Sequence, residues 1–263
     1  MMIDLHVHIL PGLDDGPRGL GEALEMAAAY AEAGFGRLVA TPHWVAGSVW
    51  APEPEQVLER LQGLREAVAD RGLGLEVAPG MEIALTSEIP ALLKSGRVLG
   101  LNRGAYVLVE LPFQRLPLGW ERIFFAMTAQ GHRVLLAHPE RCDHLAAEPD
   151  LLRKMFEMDL GIQVNWKSLL GRYGENVRET AWAILEGGLA HCLATDGHRR
   201  ADVIGLNFQG SRRELAARLG AKRAGILVEG NPGRVWAGAA LETVPAMKRA
   251  RNKGHGRRRL KWH

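Results

Sequence analysis

The sequence predicts a single α/β domain built as a closed barrel of parallel strands. Seven short apolar runs alternate with segments of helical periodicity, and this alternation is typical of parallel β/α units. A length of 263 residues with 47% hydrophobic and 24% charged side chains suits one such barrel. Polar candidates follow six of the seven runs, and only a closed ring brings so many strand ends together.

The elements follow from apolar patterning and from glycine and proline at segment ends. A first strand lies within residues 1–10, and the later strands are predicted at 35–40, 75–78, 105–109, 133–137, 161–164 and 189–194. Helices are predicted at 20–31, 55–69, 89–94, 121–129, 149–158, 175–185, 209–219 and 232–239. Pro52 and Pro54 open the second helix, whereas Gly34 and Gly131 stop the helices before them.

Basic side chains concentrate near the C-terminal end. Residues 248–261 contain eight Lys or Arg and no acidic residue, while the rest of the chain holds 25 basic and 30 acidic side chains. A block of like charge predicts a solvated, disordered tail, so we divide the chain into a barrel over 1–246 and a basic tail over 247–263. Contact of this tail with anionic lipid or an acidic partner is the alternative, and no nucleic-acid partner is expected.

Cysteine usage and the N-terminal residues bear on the compartment. Cys142 and Cys192 are too few for a disulfide framework, and Asp4, His6 and His8 stand where a signal peptide needs an apolar core. The sequence has no run of about 18 apolar residues that could span a bilayer. We therefore expect a cytoplasmic protein, with peripheral contact at the inner face of the membrane as an option for the tail.

Imidazole and carboxylate side chains stand at the predicted strand ends. His6 and His8 are two residues apart in a strand, so both rings leave the same face and could bind one ion. The full set of metal-ligand candidates is His6, His8, Asp15, His43, Glu82, Glu110, His138, Asp196 and His198. This set exceeds the four ligands of one tetrahedral zinc and suits two or three divalent ions. Without thiolates, Mn²⁺, Zn²⁺ or Fe²⁺ is expected.

Such a cluster predicts phosphoester hydrolysis, because paired ions can activate water for attack on phosphorus. Arg141 is the predicted phosphate ligand, and Arg199 or Arg200 could supply a second cation. The cysteine-phosphatase spacing is absent, since Glu148 and His198 occupy the sixth position after the two cysteines. Neither G-x-x-x-x-G-K-[ST] nor G-x-S-x-G occurs.

In order and spacing, the strand-end motifs resemble the PHP (polymerase and histidinol phosphatase) metallophosphoesterases. Within that superfamily they are most similar to the manganese-dependent protein-tyrosine phosphatases of capsular and exopolysaccharide operons. The motifs are Asp4-Leu5-His6-Val7-His8-Ile9-Leu10-Pro11-Gly12-Leu13-Asp14-Asp15-Gly16, Ala40-Thr41-Pro42-His43, Gly80-Met81-Glu82-Ile83, Val109-Glu110, Ala137-His138-Pro139-Glu140-Arg141, Gln163-Val164-Asn165, Ser168-Leu169-Leu170-Gly171 and Thr195-Asp196-Gly197-His198.

This resemblance implies a distorted (β/α)₇ barrel with two to three divalent ions, Mn²⁺ first and Fe²⁺ or Zn²⁺ as alternatives. It implies phosphotyrosine on a membrane-associated bacterial tyrosine autokinase as the substrate, and Arg141, Asp196 and His198 as catalytic residues. It distributes the ligands over three ions as His6, His8, Glu82 and Asp196, then Glu82, Glu110 and His138, then Asp15, His43 and His198. Relatives commonly keep a second arginine several residues beyond the final Asp-x-His, whereas here Arg199 and Arg200 follow it directly.

Three other functions stay open at the level of sequence. A small-molecule phosphatase of the same fold, such as one for histidinol phosphate, would share the barrel and the ions. A noncatalytic, metal-bound docking subunit of polysaccharide assembly would share them too. An amidohydrolase barrel also begins with His-x-His, but it usually has a bridging lysine, and no lysine follows a predicted strand before Lys167.

Overall fold

The wall of the barrel consists of short parallel strands. The computed structural model describes residues 2–247. Within that range the strands are β1 (Met2–Val7), β2 (Phe35–Ala40), β3 (His43–Trp44), β4 (Glu76–Pro79), β5 (Glu82–Ala84), β6 (Tyr106–Glu110), β7 (Arg133–Ala137), β8 (Gly161–Asn165) and β9 (Cys192–Ala194). All seven predicted strands are present, and two of them match residue for residue.

Helices follow the strands and cover the outside of the ring. They are α1 (Leu20–Glu32), α2 (Pro54–Asp70), α3 (Ile89–Ser95), α4 (Trp120–Ala129), α5 (Asp143–Ala147), α6 (Pro149–Glu157), α7 (Trp166–Leu169), α8 (Glu175–Glu186), α9 (Arg200–Gly205), α10 (Phe208–Leu219), α11 (Ala221–Gly225) and α12 (Asn231–Trp236). Short α5, α7 and α9 were not predicted, because helices of four to six residues are too short to show a period. In the described part of the chain, no helix is both long and apolar enough to cross a bilayer.

Backbone pairing closes the ring between the last strand and the first. The strand order is β1-β2-β4 in one sheet and β3-β5-β6-β7-β8-β9 in the other. Val7 forms a parallel bridge with Gly197, the His8 N–H donates to the Gly197 carbonyl at 2.9 Å, and the Asp196 N–H donates to the His6 carbonyl at 3.0 Å. These contacts join the end of β9 to β1.

Two barrel strands are interrupted, which is the distortion of this fold. Thr41 and Pro42 separate β2 from β3, and Gly80 with Met81 separates β4 from β5. The broken halves stay in line, since the Glu82 N–H donates to the Pro42 carbonyl at 3.1 Å and His43 pairs with Glu82. Counting each broken strand once leaves seven strand positions, so the predicted distorted (β/α)₇ barrel is confirmed.

A bulge in β1 decides which side chains enter the barrel. Asp4 pairs with Leu38 and Val7 with Ala40, so β1 has one more residue than β2 between these pairs. Leu5 packs in the inner apolar cluster whereas Val7 packs in the cluster beneath the helices. The extra residue therefore reverses the alternation of the strand after Leu5.

Strand β9 is shorter than predicted. The His191 ring accepts the Ile162 N–H through Nδ1 at 3.1 Å, so a side chain replaces one bond of the strand ladder. The helix predicted at 232–239 ends at Trp236. Met247, the first residue of the predicted basic tail, still donates its N–H to the Glu186 carbonyl at 2.9 Å. The rest of that tail, 248–263, lies outside the described residues, so its disorder stays a prediction.

Candidate metal centre

His6 and His8 lie at the C-terminal end of β1, fully buried, with one nitrogen of each ring held by a hydrogen bond. His6 Nδ1 donates to Gln163 Oε1 at 2.9 Å, and His8 Nδ1 donates to Asp14 Oδ2 at 2.7 Å. Both partners are oxygen acceptors, so Nδ1 carries a proton in each ring, and the neutral form of each ring has its Nε2 lone pair available for a metal ion. Orientation of an imidazole through its other nitrogen is typical of metal-binding histidines.

The two Nε2 atoms face each other at 3.0 Å. Two nitrogen lone pairs at this distance repel each other. Two nitrogen ligands that each lie about 2.1 Å from one ion, at an angle of about 90°, are about 3 Å apart, which matches the observed distance. Glu82 lies beside them, with Oε1 3.3 Å from His6 Nε2 and Oε2 3.3 Å from His8 Nε2. Glu82 Oε2 is buried, and His43 Nδ1 lies 2.9 Å from it. This arrangement fits a bound cation, which would be shared by the two Nε2 atoms and the Glu82 carboxylate.

The structure brings all nine predicted ligand candidates together. Within the described residues, four groups have ligand atoms that all lie within 4.8 Å of one another. The groups are His8 with Asp15, His43 and His198; His6 with His138 and Asp196; His6 with His8 and Glu82; and His43 with Glu82 and Glu110. Because the groups share members, they form one continuous cluster suited to more than one ion, as in sites where carboxylates bridge neighbouring metals.

The carboxylates at the centre are strongly perturbed. Burial disfavours the charge on Glu82, but the surrounding His6, His138 and His43 rings outweigh it and hold the pKa of this carboxyl well below its usual range. Burial, followed by repulsion from Glu82, raises the pKa of Glu110 to about 7. Two nearby acids with opposite pKa shifts, in a cleft, are typical of a functional site.

Two of the candidate ligands sit on unusual backbone. His138 has φ of +30° and Asp196 has φ of +50°, in the left-handed region that non-glycine residues rarely adopt. Gly197 lies between Asp196 and His198, and a Cβ atom at this position would clash with the Tyr30 hydroxyl. Strained backbone of this kind persists where the surroundings impose it, and it concentrates at functional sites.

The cluster opens into a cavity of about 450 Å³. Its lining residues are Asp15, His43, Val45, Trp50, Glu110, Phe113, His138, Arg141, Lys167, Tyr173, Asp196, His198, Arg199 and Asp202. The Arg141 guanidinium lies between two rings, with Cζ 4.6 Å from the Phe113 centroid and 4.3 Å from the Tyr173 centroid. Its Nη1 donates to Asp196 Oδ2 at 3.1 Å.

The predicted second arginine is only partly in place. Arg199 lines the cavity at its exposed rim, whereas Arg200 lies outside it, with Nε 3.9 Å from Glu25 Oε2 on α1. The structure thus does not bring Arg200 to the predicted substrate site, because α9 begins at Arg200 and turns it toward α1.

Sequence reasoning missed several residues of this cavity. Asp14 and Gln163 orient the histidines, and Trp50, Phe113 and Tyr173 form aromatic walls. Lys167 was noted only in excluding a bridging lysine and was not assigned to the cavity, because it follows the end of β8 by two residues, in the unpredicted helix α7. The available signal was its position in the Asn165 to Gly171 motif, beside a strand end that carried no ligand candidate.

Imidazole and carboxylate groups that converge at the carboxyl ends of a parallel barrel define a barrel of the metal-dependent hydrolase class. The cavity, the arginine and the shared ligands belong to one centre. The chain belongs to the CpsB/CapC family of capsular polysaccharide synthesis, whose model matches residues 2–237. The family resemblance predicted from the motifs is thereby confirmed.

Named relatives agree with this assignment. The chain is 34% identical over 197 residues to the tyrosine-protein phosphatase YwqE of Bacillus subtilis, covering 75% of this chain and 77% of YwqE. It is 28% identical to the tyrosine-protein phosphatase CpsB of Streptococcus pneumoniae, covering 89% of this chain and 98% of CpsB.

Solved structures are similar as well. A crystal structure from work on YwqE of B. subtilis and CpsB of S. pneumoniae, described as metal-dependent tyrosine phosphatases, superposes with a TM-score of 0.87 at 30% identity. The match covers 95% of this chain and 100% of the other. The lactonase Lmo2620 of Listeria monocytogenes shares the fold alone, with a TM-score of 0.59 at 9% identity, over 89% of this chain and 94% of the lactonase.

Proposed function

We propose that this chain is a metal-dependent protein-tyrosine phosphatase. Its substrate is phosphotyrosine on a bacterial tyrosine autokinase that controls capsule or exopolysaccharide synthesis. The proposal rests on one observation, that the ligand cluster and Arg141 line the same cavity. The names of the relatives YwqE and CpsB support the same activity.

The nine clustered side chains would hold two to three divalent ions, with Mn²⁺ proposed first and Fe²⁺ or Zn²⁺ as alternatives. Such ions supply Lewis-acid stabilisation of phosphoryl charge and activation of water. The distribution of ligands over three ions that the family resemblance implies belongs to this proposal. Glu82 is its central member, since its two oxygens lie 2.9 to 3.3 Å from ring nitrogens of four histidines, His6, His8, His43 and His138.

Arg141 is suited to bind the phosphate. The Phe113 and Tyr173 rings both contact its guanidinium group, so little side-chain entropy is left to lose when an anion binds. Its bond to Asp196 Oδ2 uses only one of the five N–H donors. The remaining donors can meet two phosphoryl oxygens in the paired geometry that guanidinium groups favour.

The walls of the cavity favour an aryl phosphate over an alkyl one. Trp50 stacks on His43 with centroids 5.3 Å apart, and Phe113 lies over His138 with centroids 6.2 Å apart. Both aromatic side chains are exposed, so a phenyl ring could be buried against them. A phenolate also leaves more readily than an alkoxide, so little acid catalysis is needed at the leaving group, and His198 acts as one of the ligands that border the cavity.

The partner and compartment follow from this substrate. A membrane-associated kinase tail that carries phosphotyrosine would be met in the cytoplasm, at the inner face of the membrane. The basic residues of 248–261 would favour both an acidic kinase tail and anionic lipid.

A substrate panel tests the proposal. Purified protein loaded with Mn²⁺ is assayed against a phosphotyrosyl peptide and against histidinol phosphate, and we expect the peptide to be hydrolysed with the higher kcat/KM. Preference for histidinol phosphate would contradict the proposal in favour of a small-molecule phosphatase. Asp196→Asn should lose turnover of the peptide while its circular dichroism is unchanged. If Asp196→Asn is as active as the wild type, the activity comes from a contaminant and the noncatalytic function regains support.

A further inference from the structure

Lys167 brings a second positive charge into the cavity that Arg141 also lines. It lies in α7, directly after β8, and only 13% of its side chain is exposed. Its Nζ donates one hydrogen bond, to the Asp196 carbonyl oxygen. An ammonium group has three donors, so two remain for other partners.

No carboxylate within the described residues forms a close ion pair with this ammonium group. The nearest is Asp202, whose Oδ2 lies 4.0 Å from Nζ. That oxygen already accepts the N–H groups of His198 at 2.9 Å and Arg199 at 3.0 Å. The charge of Lys167 is therefore mostly desolvated, and the carboxylates of Asp202 and Asp196 compensate it without a close ion pair, so an anion bound beside it would be stabilised.

The ring of Tyr173 connects this lysine to the clamped arginine. Arg141 Cζ lies 4.3 Å and Lys167 Nζ lies 5.8 Å from the Tyr173 centroid. A tyrosine ring can stabilise a cation, and here it contacts two. Two like charges held by one neutral ring form a pair of donors suited to a dianion such as a phosphate monoester.

We propose that Lys167 is the second phosphate-binding cation of this site, and that Tyr173 spaces it from Arg141. The inference rests on the proposed phosphatase function and deepens it. It replaces the sequence-based prediction of Arg199 or Arg200, since Arg200 lies outside the cavity and Arg199 lies at the exposed rim. A lysine held inside the cavity can contact the phosphoryl group itself, whereas a rim arginine is better placed for the peptide.

The test compares Lys167→Met, Lys167→Arg and a matched control, Lys154→Met. Lys154 is an exposed lysine that pairs with Glu121 on the outer surface and also lies over an aromatic ring, that of Trp120. Binding of inorganic phosphate is measured by calorimetry on Mn²⁺-loaded protein, together with metal content and with KM and kcat for a phosphotyrosyl peptide.

We expect Lys167→Met to weaken phosphate binding at least about tenfold and to raise KM, because one charge-assisted hydrogen bond is lost. Metal content should stay at the wild-type level, Lys167→Arg should recover most of the affinity, and Lys154→Met should behave as the wild type. Unchanged phosphate affinity in Lys167→Met would overturn the inference. Loss of metal content would overturn it too, because Lys167 would then serve to hold the Asp196 backbone.

Arg199→Met ranks the two candidate cations. A smaller loss of phosphate affinity than in Lys167→Met is expected, and a larger loss would assign the second contact to Arg199 instead. Failure of the phosphatase function itself would look different. Wild-type protein would then leave the phosphotyrosyl peptide intact, while the calorimetric comparison of phosphate binding would still decide the role of Lys167.

Discussion

The inner and outer halves of the candidate metal centre are built differently. The inner half, comprising His6, His8 and Glu82, is fully buried, and each imidazole there is oriented by a buried oxygen. The outer half, comprising Asp15, His43 and His198, borders the cavity, and the Asp15 side chain is 48% exposed. Inner groups lie on or directly beside strands, whereas Asp15 and His198 lie on connecting loops.

This difference indicates that the inner half mainly binds an ion and that the outer half mainly meets solvent and substrate. A buried, pre-oriented set binds an ion tightly, because little reorganisation is needed. The exposed set retains access to solvent and substrate and can tolerate some change. A hydrogen bond from His198 lowers the pKa of Asp15 to about 2, so this carboxylate stays ionised well into the acid range.

The largest effect is expected from Glu82→Gln in the inner half. The substitution removes the charge shared by the inner and outer groups while it keeps the shape, so turnover should fall at least about 10³-fold. Initial rates with a phosphotyrosyl peptide measure this loss. Glu76→Gln, at an exposed β4 carboxylate paired with Arg37, is the control and should retain wild-type rates. If the initial rate of Glu82→Gln falls less than tenfold, the inner half does not contribute to catalysis as proposed.

Gln163→Leu tests whether orientation of His6 matters. Without the Oε1 acceptor, His6 can rotate or change tautomer, and metal affinity should fall by about 10- to 100-fold. Competition with a fluorescent chelator measures the affinity. Gln62→Leu, on the exposed face of α2, is the matched control. An affinity equal to the wild type would show that burial alone positions the ring.

Asp15→Asn in the outer half should cost about tenfold in kcat/KM, because neighbouring imidazoles still provide ligands. The inner ions should remain, so elemental analysis is expected to show at most one ion lost per chain. Asp70→Asn at the exposed end of α2 serves as the comparison. A loss as deep as that of Glu82→Gln would erase the proposed difference between the halves.

The smallest effect on turnover is expected at His191, which is buried away from the cavity. Burial lowers its pKa to about 4. As pH falls from about 6.5 to about 4, the unfolded chain binds a proton that the folded chain does not, so stability is lost in that window by about 3 kcal/mol. Urea unfolding at several pH values should show that the free energy of unfolding of His191→Gln falls less steeply with decreasing pH than that of the wild type. Turnover at neutral pH should be unchanged. Equal pH slopes in both proteins would contradict this assignment.

Strand positions and candidate ligands could be predicted because both follow local patterns. Residues 133–137 show an apolar run, and His138 follows it directly. The β1 bulge could not be predicted, because it depends on pairing with Leu38 and Ala40 across the sheet. The left-handed backbone at Asp196 is likewise imposed by its surroundings.

The clamp around Arg141 required the three-dimensional structure as well. Phe113 and Tyr173 come from loops far apart in the chain, and no short-range period connects them. Lys167 was overlooked for a related reason, since its helix α7 has only four residues. Site residues on loops and very short helices therefore cannot be predicted from sequence periodicity.

Anomalous diffraction from crystals grown with Mn²⁺ tests most directly whether the strand-end groups form one polynuclear centre. Two or three anomalous peaks are predicted, all within coordination distance of the nine clustered side chains, with one peak between His6 and His8. A single peak outside this cluster, or none in protein that hydrolyses phosphotyrosine, would contradict it.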